Sequence, residues 1–523
     1  MSGTQRRPES PDSGARGGGW FRTKSVEQSI QDTEEPEHAL KKSLSAFDLV
    51  VYGVGVIVGT GIFVVTGTVA KDYAGPAVAI SFIVAALVCG LAALCYAEFA
   101  STVPVAGSAY TFSYASLGEL PAWIIGWDLV LELALGAATV AGGWSQYVGT
   151  LLDNLGLTVP EVLTHSGDGF GFGFDILAAA LVLAITAVLV VGMKLSARIT
   201  SAVVAVKITV VLLVIIAGAF FIVGDNYSPF IPPEQPTEEG TSGLLTPLSQ
   251  LIFGFTPSHF GVMGIFSAAA VVFFAFIGFD IVATAAEETK NPQRDLPRGI
   301  FGSLAVCTLL YVAVSLVVTG MREYSKLESD APLASAFKAV GQPFFSGLIS
   351  FGAAVGLTSV VMILLLGQTR VFFAMSRDGL LPRSFSRVHT RYGTPYRSTV
   401  LLGVLVALIA GFFTVTELTE MVNIGTLFAF LVVALGVILL RRTRPELPRA
   451  FRTPFVPVLP VVSVLASLWL MLNLSVETWL RFAVWMALGM VIYAVYGRRH
   501  SRLRLMGDVG SGSGSGSGGG GAR

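Results

Sequence analysis

An all-α integral membrane fold with twelve transmembrane helices is what this sequence predicts, on three observations. The 523 residues have a mean hydropathy of +0.72, with 53% hydrophobic and only 13% charged side chains. The apolar residues gather into runs of about 20, the length that crosses a bilayer as an α-helix. Two of those runs, the first and the sixth, are interrupted by glycine at membrane depth. They stand five segments apart, as expected if two groups of five helices form an inverted repeat with a binding site at the interruptions.

Hydrophobic length places the twelve segments at 46–68, 76–100, 121–151, 174–193, 199–224, 263–286, 299–320, 344–375, 398–416, 420–440, 455–474 and 477–497. Residues 1–40 and 501–523 read as disordered tails, the second rich in Gly and Ser. Between them, 41–500 forms one membrane domain: a first repeat over 46–224, a second over 263–440, and two additional helices over 455–497. The polar stretch before segment 1 has no apolar h-region, so no cleavable signal peptide is expected.

Equal numbers of acids and bases hide a strong asymmetry. Of the 34 Lys and Arg, only Lys71, Arg322, Lys326, Lys338 and, just inside segment 12, Arg481 lie on the side that faces out if the N-terminus is inside. Lys207 and Arg370 lie within segments, which leaves 27 on the inner side, including Arg377, Arg383, Arg387, Arg391 and Arg397. The positive-inside rule then puts both termini in the cytoplasm of a multi-pass protein of the cell membrane. Cys89, Cys95 and Cys307 fall inside apolar segments, which argues for buried packing and against a disulfide framework. No HExxH, CxxC pair, P-loop or nucleophile elbow occurs, so neither an enzyme nor a metal or cofactor site is indicated. Nothing points to nucleic acid.

Segment 1 contains Gly53, Gly55, Gly59 and Gly61 within Tyr52–Phe63. An interior glycine costs a helix roughly 1 kcal/mol relative to alanine. Unpaired backbone in hydrocarbon costs several kcal/mol per group. One reading is that the chain unwinds there and offers its backbone groups to a polar solute; the other is close helix packing through small residues. Segment 6 repeats the pattern in Phe274-Ala-Phe-Ile-Gly-Phe-Asp280. N–H groups around Gly59, Thr60 and Gly61, near a positive half-helix end, suit a carboxylate. Carbonyls of Phe274, Ala275 and Ile277 suit an ammonium. Together they describe a receptor for an α-amino acid held at both charged ends by backbone.

Several ionisable residues sit at membrane depth. Lys207 lies about nine residues into segment 5, roughly 13 Å deep. A lysine at a helix centre costs roughly 2.5–3.5 kcal/mol. Burial disfavours its charged form, so one reading is a proton carrier; others are a fixed cation or a snorkelling side chain. Asp128 and Glu132 are four apart on one face of segment 3, with Glu132 the deeper. Asp280 follows the second break. Arg370 near the inner end of segment 8 reads as a snorkelling or gate-closing residue.

Together these stretches resemble the amino acid–polyamine–organocation superfamily, and within it the cationic amino acid transporter branch, especially its bacterial members. The resemblance rests on Gly55–Phe63, Tyr96-Ala-Glu-Phe-Ala100, Phe274–Asp280, Glu287-Glu-Thr-Lys-Asn-Pro-Gln-Arg294, and Gly367–Arg370 with Ala374–Pro382, and covers roughly residues 38–500. It implies the five-plus-five inverted-repeat fold with two extra helices. It also implies substrate contact by Ile57, Thr60 and Gly61 and by Phe274, Ala275 and Ile277. Phe279 matches an aromatic that closes the extracellular side, Lys207 a lysine that occupies a sodium site in proton-coupled members, and Glu132 an acid acting with it. Asp280 is a further candidate for proton coupling.

The expected activity is proton-coupled symport of L-amino acids by alternating access. Neutral substrates such as alanine are favoured, because Met362, Leu364 and Leu365 supply the segment 8 face and no acid is evidently placed to receive Arg or Lys. The alternatives are a cationic amino acid transporter, an exchanger without proton coupling and, more remotely, an amino acid sensor. Substrate, protons and lipid are the expected partners; the sequence does not specify an accessory subunit.

Overall fold

The computed structural model describes residues 44–102, 108–157, 160, 173–192, 197–236, 243–254, 258–284, 289–446, 449 and 451–501. Both expected tails, except for Ser501, and Glu287 and Glu288 of the Glu287–Arg294 motif lie outside the described residues. The described residues are mainly helical, with one two-residue antiparallel pairing among them, of Gln235–Pro236 with Ser258–His259 in the connector before segment 6.

Among the described residues, seven helices are long and apolar enough to cross a membrane: Gly61–Thr102, Glu119–Asn154, Ser201–Phe221, Pro292–Met321, Pro343–Arg377, Val415–Thr443 and Val476–His500. The first of these folds back at Gly75, whose φ of 59° and following Pro76 end one helix and start another. Five shorter apolar helices complete the set, at Ala46–Ile57, Ile176–Val191, Gly261–Phe276, Tyr396–Phe412 and Val458–Leu472. Helix starts follow from sequence. Ser45 and Asp48 exchange hydrogen bonds in a capping box before Ala46–Ile57, and Thr414 and Glu417 do the same before Val415–Thr443. Proline occupies the first helical turn at Pro292, Pro332 and Pro343, where its missing N–H costs nothing.

Segment 3 is the axis of the bundle. Some 94% of its most apolar stretch is buried, against 22% for segment 12. Segments 8 and 10 pack along it, segment 7 packs on segments 1 and 2, and segment 9 on segment 4. The helices that carry the breaks therefore lie inside a ring of partners that can satisfy open backbone.

Both predicted interruptions are present. Segment 1 is an α-helix over Ala46–Ile57, leaves helical geometry at Val58 (ψ 95°), and resumes as a π-helix over Gly61–Val65. Segment 6 is α-helical over Gly261–Val272 and tightens to a 3-10 turn over Phe273–Phe276. It then becomes extended at Ile277 before the helix Phe279–Thr284. Gly278 has φ 115°, a conformation that needs glycine, and a Cβ there would stand 2.7 Å from Val56 Cγ1. The second break is thus built on backbone geometry as well as on close approach to the first.

Candidate functional site

The four glycines of segment 1 divide between both sequence readings. A Cβ at Gly53 would stand 2.6 Å from Ser303 Cβ, and one at Gly55 would overlap Val204, so these two are packing glycines. Gly61 is packed on the backbone of Ala275, which brings the two breaks into contact. At Gly59 a Cβ would meet Val360 at 3.6 Å and Ile57 O at 3.9 Å, both ordinary contacts. Glycine at that position leaves space beside the chain.

That space is a cavity of about 30 Å³, lined by Ile57, Gly59, Thr60 and Gly61 from segment 1, Phe274 and Ile277 from segment 6, and Glu132 from segment 3. Leu133, Gly136 and Val140 of segment 3, Val360 and Leu364 of segment 8 and Val422 of segment 10 complete an apolar wall. The volume is room for about two waters. The Oγ1 of Thr60, fully buried in this lining, has no hydrogen-bond partner among the described residues. An orphaned buried hydroxyl is costly, and one facing a cavity is available to a solute.

The carbonyls freed by the breaks are mostly satisfied from neighbouring helices. Lys207, buried to 1% exposure, donates from Nζ to Gly55 O at 2.7 Å. Tyr311 Oη donates to Ile57 O at 2.8 Å. Both acceptors belong to the last turn of Ala46–Ile57, where a cation also complements the helix dipole. On segment 6, Asn423 Nδ2 donates to Ala270 O at 2.9 Å and Val271 O at 3.0 Å. Beyond the first break, Tyr147 Oη donates to Phe63 O at 2.6 Å.

The other expected site residues are placed as follows. Ala275 lies behind Gly61 and is not part of the cavity lining. Phe274 O accepts from Ile277 N at 3.2 Å, so one of its two lone pairs serves the 3-10 turn. Asp280 is buried and close enough to Glu132 for the two carboxyls to interact, but it does not line the cavity. Lys207 stands behind segment 1, its stem against Gly356, and reaches the cavity only through Gly55. Glu132 is an acid in the cavity wall, where none was evident from sequence. On segment 8 the lining residues are Val360 and Leu364; Met362 and Leu365 are not among them.

Phe279 is not part of the cavity lining. It is fully buried against Tyr96 and Phe430, with ring centroids 5.9 and 5.1 Å away. It follows the break and packs with the segment that contacts Ala46–Ile57 and the start of segment 7. A larger cavity lies on the opposite side, beyond the break in segment 1 and before that in segment 6, lined by residues such as Val64, Val65 and Val271. The positive φ of Gly278 turns the chain so that the next side chain enters the aromatic cluster.

Tyr311, Asn423 and Tyr147 were missed from sequence. Asn423 carried a signal, an amide within an apolar run that needs an intramembrane partner. Tyr311 and Tyr147 read as core aromatics, and only their partners distinguish them.

The family description "Amino acid permease" matches residues 44–495. The chain belongs to this family. It is 48% identical over 490 residues to the branched-chain amino acid permease BcaP of Bacillus subtilis (strain 168), covering 93% of this chain and 99% of that one. It is 46% identical over 484 residues to the methylthioribose transporter of the same organism, covering 92% and 99%. A plant relative, cationic amino acid transporter 4, vacuolar, of Arabidopsis thaliana, is 32% identical over 580 residues, covering 89% and 93%. These are membrane transporters rather than enzymes, in agreement with the apolar helices of this chain.

Proposed function

We propose that this permease carries neutral L-amino acids with protons by alternating access, holding the substrate at the paired breaks. The observation that carries the reading is the cavity shared by both broken segments, with the partnerless Thr60 hydroxyl in its wall. Ile57, Gly59, Thr60, Gly61, Phe274 and Ile277 hold the polar ends, and Ala275 sets the approach of the two breaks. Valine and leucine side chains at Val140, Val360, Leu364 and Val422 suit an aliphatic substrate side chain. The cavity is smaller than an amino acid, as suits a closed state that widens when one repeat rocks against the other. Twelve crossings arranged as 46–224, 263–440 and 455–497, with both termini cytoplasmic, complete the proposal; the matched breaks support the repeat. Lys207, Glu132 and Asp280 form the proton-coupling group in this reading.

The methylthioribose relative raises a second substrate class. Thr60 and Glu132 are the polar side chains of the lining, few for a polyhydroxylated ring, whereas backbone-held charges and apolar walls match an aliphatic amino acid. Uptake of labelled L-alanine and L-leucine into liposomes, with and without an inside-alkaline pH gradient, tests the proposal. Gradient-dependent accumulation supports it. Gradient-indifferent uptake means exchange, and displacement only by L-lysine or only by methylthioribose moves the substrate class.

Thr60→Val keeps shape and removes the hydroxyl. A lost hydrogen bond to a charged group is worth about 1.5–3 kcal/mol, so the KM for uptake should rise at least about tenfold with the protein still folded. An unchanged KM would remove Thr60 from the site.

A further inference from the structure

Three acids lie along the first half of the segment 3 helix, Glu119–Asn154. Glu132 lines the cavity at the breaks. Glu119, at the start of the helix, accepts from Tyr493 Oη at 3.1 Å and from Ser501 Oγ at 2.5 Å. Asp128 differs from both. It is fully buried, it lines neither of the cavities described above, and neither of its oxygens has a hydrogen-bond partner among the described residues. A buried carboxyl that no donor answers is costly to keep, so something other than these side chains must answer it.

Packing fixes where Asp128 stands. Segment 10 meets the cavity at Val422 and Asp128 at Gly425, where a Cβ would stand 2.9 Å from Oδ1. It then joins the ring cluster of Tyr96 and Phe279 at Phe430. Asp128 therefore lies between the cavity and that cluster, on the side away from the larger cavity. One turn of helix, about 6 Å, separates it from Glu132 on the same face. Glu132 and Tyr96 act on it electrostatically, and Asp280 acts on both of those. Segment 8 reaches this stretch with Gln368, whose Nε2 stands 3.5 Å from Val130 O, and segment 12 with Trp485, whose Nε1 stands 3.3 Å from Trp127 O. Neither of these carries charge, and nor does Gly425.

A proton is the ligand that suits such a place. A bound metal cation needs a shell of several oxygen ligands, and among the described residues no group of three acids, histidines or cysteines comes together to supply one. A proton needs neither room nor further ligands. We propose that Asp128 is a proton-binding site on the inward path, which takes the proton from Glu132 and passes it to the inner side. The inference rests on the proton-coupled reading above and extends it from binding to release. The O–H bond at Glu132 breaks as one forms at Asp128. When the ring cluster parts, that proton leaves Asp128 for water on the inner side, and no electrons change hands.

Asp128→Asn tests this, because it keeps the shape, removes the proton site and breaks no hydrogen bond made among the described residues. Full-length protein in liposomes that hold a pH-sensitive dye gives two rates for L-alanine and for L-leucine. One is substrate-driven acidification of the interior; the other is counterflow without a gradient, which requires no net proton release. A positioned proton-transfer group contributes at least about a hundredfold, so acidification should fall by about that much while counterflow persists. Unchanged acidification in the variant overturns the site while the proton-coupled reading stands. Loss of both rates also overturns it, since a merely structural role would stop exchange as well. Uptake by the unaltered protein with no acidification overturns the coupled reading and this inference together.

Discussion

Lys207→Met is expected to abolish accumulation driven by a pH gradient while leaving the protein folded and inserted. The ammonium donates to Gly55 O at 2.7 Å from a site with 1% exposure, and so holds the last turn of Ala46–Ile57 directly before the break. Methionine matches the length of the stem and packs against Gly356, but offers neither charge nor donor. The lost bond is one charge-assisted contact, worth about 1.5–3 kcal/mol, and Tyr311 still holds the neighbouring Ile57 carbonyl. The fold should therefore survive. Gain and loss of a proton at this amine would change how tightly the half-helix end is held, which is a direct route from protonation to the position of Ile57 and Gly59. Uptake into liposomes with an inside-alkaline interior, beside counterflow without a gradient, separates coupling from binding. Full gradient-driven accumulation by the variant would sink the coupling role of Lys207.

The largest loss of stability is expected at Glu98. Its carboxyl is almost fully buried and accepts from Arg441 Nε at 2.8 Å, Arg441 Nη2 at 2.7 Å and the Thr453 backbone N at 2.8 Å. Arg449 Nε stands 3.4 Å away on the other side. Arg441 also donates to Thr453 O at 2.7 Å, and Thr453 Oγ1 to Leu94 O at 2.9 Å. One carboxylate thus ties the end of segment 2 to segment 10 and to the connector leading to segment 11. Removing one partner of such a buried pair leaves the others uncompensated, at a cost of about 3–5 kcal/mol. Glu98→Ala should unfold at distinctly lower denaturant in detergent, and Glu98→Gln should recover only part of the loss, since Arg441 loses the charge of its bidentate acceptor. A loss below about 1 kcal/mol for Glu98→Ala would mean that water replaces the carboxylate.

Much of the site was legible because membrane burial makes polarity conspicuous. Lys207 and Glu132 stood out against apolar runs, and the depth of Lys207 followed from counting residues. The glycines marked both breaks, yet spacing alone could not separate Gly53 and Gly55, which admit Ser303 and Val204, from Gly59, which leaves room. Glu98 was visible as part of Tyr96-Ala-Glu, but Arg441 lies 343 residues away and nothing local names it. The neighbours of Phe279 were not legible because helix periodicity does not carry through Gly278 at φ 115°. The side-chain wall was assigned to Met362 and Leu365 instead of Val360 for a similar reason: the rotation of segment 8 about its axis is set by its packing on segment 3.

What the sequence determined by itself was the sum of local and solvent-driven terms. Hydrophobic length defined the apolar segments, glycine and proline their ends and interruptions, and isolated charge the places where burial needs a partner. Tertiary structure alone decided which partner answers each opened backbone group: Lys207 for Gly55, Tyr311 for Ile57, Asn423 for Ala270 and Val271. It also decided that Thr60 would have none among the described residues. The reason is range. A helix break is a local event, whereas its hydrogen bonds come from helices more than a hundred residues away in the chain, whose positions follow from packing the whole bundle.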